Sequence, residues 1–228
     1  MLRDPQNIES NFIRDLLCPS AGVVLEVGCG DGRLTGEISA FADSVVGLDP
    51  DTGSIDQARS LQGNGINLIL GSGENIPLAD DTVNTVVFSL SLHHHSDPGS
   101  ALVEARRVLR ENGRILVLEP DGRSPVNMLF KLIHNEDEAY DRAAKAVNSC
   151  GLRSTNHGSY TTIWRFEDFE VMVDYLFGYF NLEPDSEKAD SMAGFLGDRR
   201  KLKPLDIEDI TQYWLLNTDS GRDRTQVP

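Results

Sequence analysis

The run Val23-Val24-Leu25-Glu26-Val27-Gly28-Cys29-Gly30-Asp31-Gly32 constrains the fold more than any other stretch. Five residues that are apolar except for one carboxylate give way to three glycines at alternating positions. An apolar run broken by glycines reads as a buried parallel strand entering a tight turn. Glycine lets the backbone take left-handed angles and lets a ligand approach the main chain. The segment Leu34–Phe41 that follows has helical spacing, so the turn lies at a helix N-terminus. Such a corner, in an open α/β sheet, is where a nucleotide-like cofactor sits. The plain alternative is a strand–glycine–helix corner with no ligand.

The glycine spacing narrows the choice. A dinucleotide fingerprint G-x-G-x-x-G would need glycine at position 33, which is Arg33; the third glycine is Gly32. No G-x-x-x-x-G-K-[ST] occurs, so a phosphate-binding P-loop is unsupported. What stands here is E-x-G-x-G-x-G, which resembles the cofactor motif of class I S-adenosylmethionine-dependent methyltransferases. The resemblance implies that Glu26 holds the ammonium of the cofactor's amino-acid tail through water or backbone groups. Gly28, Gly30 and Gly32 would leave room for the ligand.

Further segments fit in order. Ser44–Asp49 reads as a second strand ending in a carboxylate, with Pro50 after it. An acidic residue about 20 positions beyond a glycine turn can accept both ribose hydroxyls, a role for Asp49. Capping of the helix expected over Thr52–Leu61 is the competing role. Asn67–Gly71 reads as a third strand. The loop Ser72-Gly73-Glu74-Asn75-Ile76-Pro77-Leu78 resembles the family's G-D-A-E-x-L-P, with Ser72 where the family usually carries aspartate. Adenine contact is therefore expected from Ser72, Gly73 and Glu74, without a charged acceptor at position 72.

Thr85–Leu92 reads as the fourth strand, followed by His93, His94 and His95. Ligands in doubly wound sheets lie beyond the carboxyl ends of the strands, so Ser89 to His94 are expected to face the reacting methyl group. Ser89 and Leu90 enter the cofactor set on this ground. His93 or His94 is the candidate base, since histidine suits proton transfer near neutral pH. His157 is a further candidate base, and Glu119 and Tyr160 stand behind these three candidates. No metal is expected, because adjacent histidines on a strand end point in alternating directions. Asp97-Pro98 opens a helix as N-cap and first residue. Residues 101–120 resemble the family's A-L-x-E-x-x-R-V-L-K-P-G-G-x-L-V-x-x-E-P, with Arg110-Glu111-Asn112-Gly113 replacing K-P-G-G.

The resemblance covers about Val23 to Pro120. It implies a Rossmann-like, doubly wound, mostly parallel seven-stranded α/β sheet. Beyond Pro120 the sequence predicts helices from Ser124-Pro125 to Leu132 and from Glu136 to Cys150, then a polar loop over Thr155–Thr162. A helical face of Phe166, Phe169, Val173, Leu176 and Phe180 follows. Strand six is expected over Tyr179–Glu183 and strand seven over Asp209–Asn217. One domain is expected over 1–228: a cofactor-binding core at 1–120, a helical insertion after strand five serving as substrate lid at 121–165, the last helices and strands at 166–217, and a polar tail at 218–228.

With 36 acidic and 21 basic residues, a net of −15, the chain repels phosphate backbones, so nucleic acid is a poor partner. The loop N-P-P-[YF] of DNA- and protein-methylating enzymes is absent after strand four, which argues against an amino-group acceptor on adenine. Three widely spaced cysteines suggest no disulfide framework, and with no apolar leader at Met1–Pro5 a cytoplasmic setting is expected. No run of about 20 apolar residues would span a membrane. The expected activity is methyl transfer from S-adenosylmethionine to a small-molecule or lipid-like acceptor. A cofactor-binding protein without catalysis and a nicotinamide-dependent oxidoreductase on a similar sheet are the two rivals.

Overall fold

The structure, a computed structural model, describes residues 1–61 and 66–218. Its elements in order are β1 (Leu2–Arg3), α1 (Ile8–Leu17), β2 (Val23–Val27), α2 (Arg33–Ile38), β3 (Ser44–Asp49), α3 (Thr52–Leu61), β4 (Ile66–Leu70) and β5 (Val83–Ser89). A 3₁₀ turn at Leu92–His94 leads into α4 (Pro98–Val108), β6 (Leu109–Pro120), α5 (Pro125–Lys131), α6 (Asp137–Ser149) and β7 (Arg153–Phe166). The chain continues with α7 (Phe169–Tyr179), α8 (Ser186–Leu196), a second 3₁₀ turn and β8 (Leu205–Asn217).

The strands form one eight-stranded sheet in the order β1-β7-β8-β6-β5-β2-β3-β4. β2 pairs in parallel with both β3 and β5; β3–β4 and β5–β6 are also parallel, while β1–β7 is antiparallel. The sheet is thus mixed and eight-stranded, not the expected seven-stranded one. The extra strand, β1, has two residues (Leu2 opposite Arg165, Arg3 opposite Trp164), too few to leave a pattern in sequence. The expected loop at Thr155–Thr162 is part of β7. Its first seven residues are exposed, so they carry no apolar alternation, while the backbone can pair regardless of side-chain polarity. The strand expected at Tyr179–Glu183 is absent: α7 runs to Tyr179, and Asn181 turns the chain at φ 52°. Since β7 belongs to the sheet, residues 121–165 are not a purely helical insertion. The expected tail falls, from residue 219 on, outside the described residues.

The chain divides into two compact units. One comprises residues 12–119, 141–158 and 213 onward; the other comprises 1–11, 120–140 and 159–212. One boundary falls between Glu119 and Pro120, beside the expected division at 120, and no boundary falls at 165. The first unit holds the parallel strands β2–β5 and most of β6. Its core joins Leu25, Val27, Leu48, Val86, Phe88, Ile115 and Val117 from the sheet to Ala101, Leu102 and Ala105 of α4. β2, β3, β5 and the end of β6 are buried on both faces, which is why they read as continuous apolar runs, whereas the edge strand β4 is not. In the second unit, Phe130, Trp164, Phe166, Met172, Leu176, Phe177, Met192 and Leu196 make a separate, aromatic-rich core. That unit also buries polar groups: Asp209 accepts from Trp164 Nε1 at 3.0 Å and from Ser124 Oγ at 3.2 Å. Arg3 lies over the Trp164 ring at 5.7 Å.

Candidate active site

The site builds up at the carboxyl ends of β2, β3, β4 and β5, all within the first unit. The chain leaves β2 for β3 on one side and later returns to β5 on the other, so β2 marks the topological switch point where such sheets bind ligands. Gly28, Gly30 and Gly32 all have positive φ, at 76°, 52° and 79°. A β-carbon on Gly28 would come to 2.5 Å from the Ser91 side chain, whereas one on Gly30 would meet nothing within 4 Å. Gly28 is thus fixed by protein packing, and Gly30 borders open space.

Two carboxylates organise this corner. Glu26 is 2% exposed and accepts from Thr35 Oγ1 at 2.5 Å. Asp49, at the end of β3, accepts from Gly30 N at 2.8 Å through one oxygen and from Asp51 N at 2.9 Å through the other. It therefore holds the glycine turn shut against β3. Helix α3 is capped by Asp51, whose carboxylate takes Ser54 N at 2.7 Å, so the competing role for Asp49 falls away. Each Asp49 oxygen keeps acceptor capacity for a further donor. Pro50 is exposed beside it. Burial, reinforced by the charges of Glu26 and Asp49, pushes the Cys29 thiol up to about 12, so it is not a nucleophile.

The loop after β4 is tied to the loop after β5. Glu74 Oε1 accepts from Ser96 Oγ and Asp97 N, both at 2.7 Å, and Oε2 accepts from Ser72 Oγ at 3.2 Å. These bonds, that from Asp97 N foremost, hold the Glu74 carboxyl below its ordinary range. A β-carbon on Gly73 would run into His95 Nε2 and lie 2.7 Å from Val27 Cγ1.

β5 ends at Ser89, and Leu90 takes φ 52°, a conformation costly for a bulky residue and met chiefly at functional turns. Ser91 Oγ then donates to Val27 O at 2.6 Å, fastening the histidine turn to the end of β2. His93 is 4% exposed, and its Nδ1 lies 2.5 Å from Glu119 Oε2. Glu119 Oε1 accepts from Leu92 N at 3.0 Å and His93 N at 3.3 Å. A carboxylate can only accept, so Nδ1 carries the proton and Nε2 is the basic nitrogen. His94 is exposed, its ring centroid 3.9 Å from that of His93. Because the three histidines sit on a 3₁₀ turn and its cap rather than a strand end, their rings do not alternate, and that argument against a shared ligand does not hold. His157 is exposed on β7; Tyr160 is buried in the second unit, where its hydroxyl donates to Glu9 at 3.5 Å.

The sequence thus located Glu26, the glycines, Asp49, Ser72, Gly73, Glu74, Ser89 and Leu90 around one set of strand ends. It missed the tie from Ser91 to Val27, the strain at Leu90 and the cross-loop role of Glu74. No sequence pattern marks such bonds, since each joins residues 22 or more positions apart.

Residues 25–117, which hold the glycine turn and the strand-end carboxylates, match the family model described as a methyltransferase domain. The chain is 32% identical over 139 residues to a demethylmenaquinone methyltransferase of Corynebacterium kroppenstedtii, covering 60% of this chain and 58% of that one. It is 38% identical over 94 residues to a malonyl-[acyl-carrier protein] O-methyltransferase of Yersinia pestis, covering 41% and 35%. The chain therefore aligns with only about a third to three-fifths of these curated relatives' lengths. The YcgJ protein of Bacillus subtilis shares the fold with a TM-score of 0.66 at 16% identity, over 93% of this chain and 98% of that one. Among the described residues no helix is long and apolar enough to cross a membrane.

Proposed function

We propose that the chain is an S-adenosylmethionine-dependent methyltransferase of a small-molecule or lipid-like acceptor, with His93 as general base and Glu119 as the residue that positions it. The observation that carries this reading is the His93–Glu119 pair, fastened through Ser91 to the end of the glycine-turn strand. A bound S-adenosylmethionine would supply a methyl group made electrophilic by its sulfonium. The residues fit that cofactor: Gly30 borders open space, Asp49 has lone pairs for a diol, and Glu26 is a buried carboxylate near the glycine turn. Glu26 and Asp49 would hold its tail and ribose, and the strand ends would align the methyl group for attack. His93 Nε2 would take the acceptor's proton, and Glu119 would stabilise the imidazolium through Nδ1.

Two supports bear on the acceptor. The net charge of −15 disfavours nucleic acid. The relatives named above act, by name, on demethylmenaquinone and on a malonyl group carried by a protein. The family match stops at residue 117, before the aromatic core of the second unit, so we assign acceptor choice to residues 121–136 there.

Transfer of a labelled methyl group into fractionated cell extract tests the function. Labelled product is expected in a low-molecular-mass or lipid fraction. No transfer, with NAD bound in place of S-adenosylmethionine, overturns the reading. With an acceptor in hand, His93→Ala is expected to lose roughly 10²-fold or more in rate together with the fall in rate at low pH, while His94→Ala keeps that profile. Replacing residues 121–136 alone spares β7 and is expected to change the acceptor with little change in cofactor affinity; the reverse result sinks that assignment.

A further inference from the structure

Arg3, on β1, carries a guanidinium that the fold does not use up. Among the described residues its one hydrogen bond runs from Nη2 to Glu9 Oε1, and at 3.4 Å it is long. Its Nε is buried and has no partner. Arg107, whose side chain is exposed to a similar degree (31% against 26%), shows the ordinary outcome. Its Nε and both Nη atoms bond to Glu104, to Asp80 and to the carbonyls of Ile76 and Leu78. A buried N–H of a charged group left without an acceptor is costly, and folded chains keep few of them. Arg3 is held in place by the Trp164 ring, 5.7 Å below it, a contact that occupies no N–H.

Trp164 opens a row of rings. Tyr175 packs edge-on against it at 5.9 Å, and Tyr179 lies 6.3 Å from Tyr175. The charge of Arg3 reaches both tyrosine hydroxyls and pulls their pKa down against the burial that raises it. Neither hydroxyl has a hydrogen-bond partner among the described residues. Tyr179 is 56% exposed, yet desolvation still raises its hydroxyl. A group that water reaches and that protein atoms also crowd lines a concavity. All of these residues belong to the second unit. An aromatic concavity with a few unused polar groups is the usual form of a small-molecule site.

Charge decides which ligand oxygen suits these donors. Glu9 already balances Arg3, and Asp209 is a second carboxyl within reach of its charge. A carboxylate or phosphate brought to Arg3 would meet the repulsion of both. A neutral carbonyl oxygen accepts from N–H and O–H groups and adds no charge. We propose that Arg3, with the hydroxyls of Tyr175 and Tyr179, forms a subsite for a neutral carbonyl oxygen on an aromatic body, and that the methyl acceptor carries such a group. The inference rests on the methyltransferase reading above and narrows its acceptor to an aryl carbonyl compound.

Ligand-observed nuclear magnetic resonance with three probes tests it: acetophenone, α-methylstyrene, which puts a methylene of the same shape in place of the carbonyl oxygen, and benzoate. Arg3→Met is expected to weaken acetophenone by ~10-fold and to leave α-methylstyrene within about twofold. Benzoate is expected to bind the wild-type protein more weakly than acetophenone does. The double variant Tyr175→Phe with Tyr179→Phe removes two hydroxyls that hold no protein partner, so it keeps the fold. It is expected to weaken acetophenone alone, by ~3-fold, and it carries the test if Arg3→Met is poorly folded by circular dichroism. Equal losses for the two neutral probes, no loss in either variant, no binding of acetophenone to the wild type, or tighter binding of benzoate each overturns the inference. Acetophenone is also expected to slow transfer of labelled methyl into extract; transfer that is unchanged at saturating acetophenone overturns the link to the acceptor. Protein that binds S-adenosylhomocysteine but fails the probe test sinks this inference alone. Protein that passes the probe test but does not bind S-adenosylhomocysteine sinks the methyltransferase reading, and the acceptor assignment with it.

Discussion

Single residues at the β2 turn have separable duties. Gly28 and Gly30 both sit at positive φ, so a side chain at either strains the backbone by roughly 1–2 kcal/mol. They differ in what the side chain would meet: the Ser91 side chain in one case, open space in the other. Gly28→Ala is expected to lower the melting temperature more than Gly30→Ala, by breaking the packing that carries Ser91 and the histidine turn. Gly30→Val is expected to abolish cofactor binding in calorimetry while far-ultraviolet circular dichroism still shows the fold. Retained binding would mean that the space beside Gly30 is not where the ligand lies. Asp49→Ala removes a charged acceptor and also frees Gly30 N and Asp51 N. Its expected cost in affinity is roughly 1.5–3 kcal/mol, about 10- to 100-fold. An unchanged affinity would place the ribose elsewhere.

Elements were legible wherever the sequence carries its own start and stop signals. Ser44–Asp49 and Thr52–Leu61 fall on the residues that the apolar run and the helical spacing indicate. α4 starts where Asp97 and Pro98 say it should, Asp97 taking Gly99 N at 3.0 Å and Ser100 N at 3.2 Å. α5 likewise begins at Pro125 after Ser124, whose hydroxyl accepts from Asn127 N. Failures occur where pairing depends on remote partners. The exposed half of β7 has no burial to impress a pattern on its side chains, and β1 is too short to hold one. The aromatic run Tyr179-Phe180 reads as strand, yet both rings pack on Phe130, with centroids at 5.2 and 5.3 Å. Aromatic enrichment marks a need for burial, which a helix end meets as well as a strand. The same limit applied at the site. Residue types at strand ends pointed to Asp49 and to His93 or His94, but which histidine is paired depends on Glu119, 26 positions away.

For the whole molecule, charge and burial set opposite trends with pH. Bonds to Arg123 hold the Asp121 carboxyl down at about 2. Other carboxyls lowered by hydrogen bonds, the exposed Asp97 by Ser100 and the half-buried Asp206 by Arg165, stabilise the fold above their unfolded pKa near 3.9 and lose that contribution as pH falls. Asp209 runs the other way. It is 5% exposed, and burial pushes its carboxyl up to about 6 against the pull of Arg3, Ser124 and Trp164 and with the added charge of Glu9. Between about pH 4 and 6 the folded chain therefore holds a proton at Asp209 that the unfolded chain has released. Its contribution is complete below about pH 4 and is lost as pH rises through 6, a change of at most about 3 kcal/mol. The groups facing it come from every neighbouring element: Arg3 of β1, Glu9 of α1, Ser124 and Asn127 at α5, Tyr160 and Trp164 of β7, and Tyr179 of α7. Asp209→Asn keeps the size of the side chain and can still accept from Trp164, so its unfolding curves can be compared with the parent's across pH. Chemical denaturation from pH 4 to 8 is expected to show stability falling less steeply through pH 6 in the variant than in the parent. Parallel curves would mean that Asp209 titrates in the fold as it does in water, and that its burial costs the folded chain nothing at neutral pH.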